Sequence, residues 1–291
     1  MTEFVQAATP SAFSDVRARY IVLVWVVLAF YLPGSSLILS SLDLNWTWYW
    51  WDVAMFYLGH FYFFLAILLF GVLVGKVPIK TCIGRQPTLA EVRGGVELTA
   101  FLFVASMAAL YVTYYPLSFV APSFVEYWYI NTPYLVYADA GTYPVLPNLL
   151  NLLSLCVIGP VLEEVAFRGI IMPRWARKWG LRAGILSSST AFAVVHADPL
   201  GAFLFGIGMS VLYLKAQSLV LPILCHGLSN LVAWLMELGY LIAYGSDHVY
   251  TLQEFQDGWP WGLGCAVLVA LWVGLYFRRP KSSVRWTLPV T

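Results

Sequence analysis

Two adjacent glutamates, an arginine, two histidines and an asparagine stand inside segments otherwise apolar enough to lie in lipid. Glu163, Glu164 and Arg168 interrupt the run VIGPVLEEVAFRGIIM, His196 closes AFAVVH, and His226 and Asn230 fall in LPILCHGLSNLV. Charge in a bilayer is costly enough that an ionisable residue there is a functional signal by default. The residue types offer a carboxylate base and histidines that hold or pass a proton, chemistry that suits hydrolysis or a proton relay.

Helix phase separates their tasks. Glu164 and Arg168 are four apart, on one face, so a charge-assisted pair between them is favourable. Glu163 is turned about 100° away and is free to face a different helix. His226 and Asn230, also four apart, present two polar side chains to one cavity, and Phe192 and His196 share a face of their segment. Depth argues that they meet. Counting about 1.5 Å per residue from the nearest basic residue in a loop, Glu163 and His226 lie roughly 16 Å deep and His196 and Asn230 roughly 21 to 22 Å deep. Scattered packing residues have no need to coincide within about one helical turn.

The elements that carry them are membrane spans. Of 291 residues, 60% are hydrophobic and only 11% charged, too few to cover a soluble globule. A net charge of +1 gives no reason to expect a nucleic-acid partner. Cys82, Cys156, Cys225 and Cys265 form no CxxC, so neither a disulfide framework nor a zinc ribbon is indicated. Apolar runs lie at about 20–39, 52–75, 95–120, 148–172, 183–197, 201–214, 219–244 and 259–277. The expected fold is an all-α polytopic membrane protein of about eight transmembrane helices. Its fifth and sixth segments, about 183–214, are short and joined by Asp198-Pro199, and they read as a broken hairpin buried in protein. Ser187, Ser188, Ser189 and Thr190 would let neighbouring helices approach closely.

Of the 16 Lys and Arg, all but Arg168 fall where both termini and the loops around Arg85, Arg177 and Lys215 are cytoplasmic. The first run resembles a signal peptide in its basic flank, but it continues past Gly34 and the parity of the spans needs it, so no cleavage is expected. The cluster SLDLNWTWYWWD reads as an outer aromatic belt, and the proline-rich stretch from Ala121 to Pro147 as an outer loop capping the bundle. His60, in the second span with no polar partner at helical spacing, reads as a core histidine. With no repeat or linker, residues 1–291 form one transmembrane domain whose motif-bearing core is about 148–244.

EEVAFR, FAVVH and HGLSN resemble the EExxxR, FxxxH and HxxxN motifs of the CAAX-protease and bacteriocin-processing family of intramembrane glutamic proteases, in the same order and at similar spacing. The resemblance covers about 150–235. It implies an intramembrane endopeptidase acting on a membrane-associated protein or peptide. It also implies roles: Glu163 as the catalytic base, His196 as its partner in activating water, and His226 and Asn230 as oxyanion donors. Glu164 and Arg168 would hold the helix, with Phe192 supporting His196. Amide hydrolysis needs an activated water and donors aimed at the oxyanion, and these residue types supply both without a covalent intermediate. No cofactor is then expected. A three-ligand zinc site built from a Glu and two His is the alternative, although HExxH is absent and Asn230 and Arg168 are odd company for zinc. A transporter or scaffold using the same polar cluster is the remaining rival, against which no second half mirrors the first. The compact form and lack of organelle signals point to a bacterial inner membrane.

Overall fold

The computed structural model describes residues 15–39, 47–77, 79–131, 135–246 and 248–278. Residues 1–14, Tyr134 in the outer loop and the basic tail after Arg278, all of which the sequence places on a side of the membrane, lie outside them. The principal helices are α1 (Ala18–Leu39), α2 (Trp48–Leu73), α3 (Leu89–Val120), α4 (Val145–Trp179), α5 (Leu181–Ala193), α6 (Pro199–Ala216), α7 (Val220–Tyr244) and α8 (Trp259–Arg278). Among the described residues there is no strand, only the isolated bridges Gly84 to Ser218 and Asp139 to Thr142.

The eight expected segments are all helical. Five of them, α2, α3, α4, α6 and α7, are long and apolar enough to cross a bilayer. The chain is a multi-pass membrane protein. α6 is longer than expected: its 18 residues take in Pro199 and run past Lys215, about 27 Å in all. α5, with 13 residues, is the short member of the pair. Apolar side chains on several helices, Phe61, Val112, Leu224 and Leu271 among them, are exposed, as a lipid-facing surface requires.

α4 is the central element. Its Ala166, Phe167, Ile170 and Ile171 are buried in the core shared with Ile21 of α1, Phe63 of α2, Phe192 of α5 and Tyr213 of α6. It is not a uniform helix. Residues Ser154–Ile158 and Val165–Ile171 are wound as π-helix, and each stretch ends two residues before a proline, at Gly159-Pro160 and Met172-Pro173. The reason is local. A proline inside a helix clashes with the carbonyl four residues back and brings no N–H, and widening the preceding turn relieves the clash. The Gly159 N–H accordingly donates to Ser154 O, five residues back. Leu155 O then loses its usual donor to the wider turn and faces a proline where the next would be.

α4 ends at Gly180, whose φ of 89° lies in the left-handed region that glycine occupies without strain. A single residue thus separates α4 from α5. At this end of the molecule Ser218 Oγ donates to Ile83 O and Arg85 O at 2.9 and 2.6 Å, tying the basic segment before α3 to the turn after Lys215. At the other end Trp48 packs on Tyr137 with ring centroids 5.5 Å apart and lines one cavity with Val136, Ala138 and His248. The outer loop is fastened there too. Glu237 of α7 accepts from the Leu135 and Val136 N–H groups, and Asn148 of α4 pairs with both backbone groups of Tyr137.

Candidate active site

The site forms where α4, α7 and the turn between α5 and α6 meet. Glu164 and Arg168, on α4, are fully buried, and Arg168 Nη1 donates to Glu164 Oε1 at 2.8 Å. The same oxygen lies 2.8 Å from Nδ1 of His226 on α7. Arg168 also donates to Gly206 O on α6 at 3.3 Å, and its guanidinium lies over the Phe192 ring at 4.8 Å. One carboxylate thereby joins an ion pair within α4 to a histidine of another helix.

Glu163 faces the same imidazole. Its Oε2 is 3.8 Å from His226 Nε2 and, among the described residues, is buried without a hydrogen-bond partner. Helix phase pairs Glu164 with Arg168 and turns Glu163 toward another helix, as found; what it does not give is that both glutamates face His226, because an imidazole has a nitrogen on either side and the ring lies between them. Glu164 holds Nδ1 and Glu163 stands opposite Nε2. The bond from Glu164 to His226 is one feature of the site that sequence reasoning missed.

His196 also departs from expectation. It was placed on a helix running to about Ala197, but α5 ends at Ala193 and His196 lies in a turn. The cause is Asp198-Pro199. The residue before a proline is driven out of helical conformation, and Pro199 instead opens α6 with Asp198 as N-cap, its carboxylate accepting from Gly201 N–H at 3.0 Å. His196 still meets Phe192: its Nδ1 is 2.6 Å from Phe192 O and the rings are 4.2 Å apart. Since a carbonyl only accepts, Nδ1 carries the proton and Nε2 is left as an acceptor. α3 steadies this turn, with Ser106 Oγ donating to Asp198 at 2.6 Å and Tyr114 Oη to Ala197 O at 2.5 Å.

Phe192 is the hub. Beside His196 and Arg168 it meets the His226 ring at 6.0 Å, edge to face. Asn230, one turn beyond His226, donates through Nδ2 to Leu155 O at 2.8 Å, the carbonyl that Pro160 deprives of a helical partner. That leaves its second N–H and its carbonyl oxygen available. Gly227 permits the approach, since a Cβ there would overlap the Cys156 carbonyl. Among the described residues no three His, Cys, Asp or Glu side chains are grouped so as to hold a metal ion.

Fold and site together define a class: an all-α membrane protein whose ionisable residues converge from three directions at the level of its spanning helices. Residues 145–232 match the family described as Rce1-like, type II CAAX prenyl endopeptidase, a stretch that holds all three polar motifs. Over 85 residues the chain is 33% identical to a Bacillus subtilis protein described as "Putative membrane peptidase YdiL". That match covers 28% of this chain and 35% of the relative, so the chain spans about a third of the curated relative's length. No solved structure matches.

Proposed function

We propose that the protein is an intramembrane endopeptidase that hydrolyses a peptide bond of a membrane-anchored protein or peptide with water activated by Glu163 and His196. The observation that carries this reading is the unpartnered Glu163 Oε2 opposite His226, whose other nitrogen is held by Glu164. The carboxylate of Glu163 takes one proton of the water, the acceptor Nε2 of His196 orients the other, and the oxygen attacks the carbonyl carbon. The developing oxyanion is met by the second N–H of Asn230 and by His226 when protonated at Nε2. Collapse returns the proton from Glu163 to the departing amine nitrogen as the C–N bond breaks.

No cofactor enters this scheme. Zinc remains the alternative to test: activity of metal-free protein is expected to survive chelator, and stoichiometric zinc by elemental analysis, with activity restored only on adding it back, would reverse the assignment. The Bacillus relative and the basic-residue census support a bacterial inner membrane with both termini and the Arg85, Arg177 and Lys215 end in the cytoplasm. Prenylated tails are then not the expected clients. The decisive experiment compares membrane-derived peptides from cells with the protein, without it, and with Glu163→Ala. Peptides present only with the intact protein identify substrates; identical profiles in all three would refute the peptidase.

A further inference from the structure

His60 lies on α2, outside the region matched to the family, and the sequence reads it as a core histidine. Its ring is instead directed at α4. Nδ1 is 2.8 Å from Phe56 O and 3.3 Å from Oγ of Ser154, the residue that opens the first π-helical stretch of α4. The carbonyl fixes the proton on Nδ1, so neutral His60 presents Nε2 as an acceptor. His196 is held by the same device, its Nδ1 against the carbonyl four residues back.

What Nε2 faces is shown by Gly159. A Cβ at that glycine would lie 3.2 Å from His60 Nε2 and 3.8 Å from Glu163 Oε1. Both atoms therefore border one gap left by the missing side chain, and the two distances laid end to end are the upper limit of their separation. A single water bridges atoms up to about 5.6 Å apart through two hydrogen bonds of ordinary length, a separation inside that limit. The Glu163 side chain as a whole keeps 12% of its surface exposed.

We propose that His60 is a further positioning residue of the site: its Nε2 accepts a hydrogen bond from a water that bridges to Glu163 Oε1 across Gly159, fixing the orientation of the carboxylate. This rests on the reading of Glu163 as the base, but the arrangement is testable without hydrolysis. The full-length protein in lipid nanodiscs is examined by infrared spectroscopy at a pH where Glu163 is protonated, its carboxyl band being assigned by its loss in Glu163→Gln. His60→Phe keeps a ring and removes the acceptor, so the band should move to higher frequency as a hydrogen bond is lost. His60→Gln, which restores an acceptor at similar reach, should return it toward the parent. Gly159→Ala leaves the histidine in the sequence but sets a methyl 3.2 Å from its Nε2, in the path of the bridge, and should shift the band in the same direction, which decides the matter if His60→Phe does not fold. A band unmoved in the folded variants overturns the proposal. A coupled band in a protein that cleaves nothing would leave the proposal standing and remove the peptidase reading; cleavage with an uncoupled band would do the reverse.

Discussion

Glu163 and Glu164 are covalent neighbours on either side of one imidazole, and their substitutions should separate cleanly. Glu163→Gln keeps the volume and removes the base, so cleavage of a substrate found by the peptide comparison should be abolished while the melting temperature stays near the parent's. Glu164→Gln strands the buried Arg168 charge, a change that costs about 3–5 kcal/mol, and also takes the charge from the bond that holds His226. Both stability and turnover should fall. Adding Arg168→Met removes the stranded charge and should recover part of the stability but not the activity, since His226 still lacks its carboxylate partner. Thermal shift and cleavage of these variants in one detergent make the check, and an early-melting Glu163→Gln beside a stable Glu164→Gln would reverse the roles. The pair of Glu164 with Arg168 was legible because four residues define a helix face. The bond to His226 was not: it joins residues 62 apart and depends on how α7 is rotated against α4, which no local period encodes.

At the scale of elements, the turn carrying His196 depends on a clamp from α3. Asp198→Ala removes an N-cap, usually a loss of about 1 kcal/mol, together with the partner of Ser106, and should lower both melting temperature and turnover. Tyr114→Phe deletes only the hydroxyl that holds Ala197 O. It should reduce turnover with a smaller change in stability, and equal turnover in Tyr114→Phe and the parent would remove the clamp from the mechanism. The break itself could be read from Asp198-Pro199, because proline chemistry is local. Its partners on α3, 92 and 83 residues away, could not. The π-helical turns of α4 lie between these cases: each is tied to a proline visible in the sequence, yet helix phase counted across them assumes a regular period that the chain does not keep.

For the whole molecule, the distribution of basic residues foretold which loops share an end, and the structure joins the Arg85 segment to the turn after Lys215 while Trp48, Tyr137, His248 and Glu254 gather at the opposite end. Single cysteines introduced at Arg85 and Arg177, in a background lacking the four native cysteines, should be labelled from one side, and those at Trp48 and Glu254 from the other. Labelling Arg177 and Glu254 positions from the same face would end this topology. Hydropathy located all eight helices because lipid imposes a simple demand on composition. It misjudged the length of α6, whose ends are set by Asp198-Pro199 and by the turn at Gln217, not by where the apolar run stops.

The bond from Asn230 to Leu155 O bears on how the chain is made. α4 is synthesised well before α7, and until α7 docks, the carbonyl that Pro160 leaves without a donor has no partner from its own helix; an unsatisfied backbone group in hydrocarbon costs several kcal/mol. Completing the site and silencing this group are one event. A nascent chain that fails to assemble keeps a polar flaw within the membrane, where surveillance proteases can find it. Asn230→Leu should therefore shorten the protein's half-life in pulse-chase experiments. Pro160→Ala, which gives the helix back its missing N–H, should lengthen it again in the double variant, even though the restored chain would lack a residue its chemistry needs.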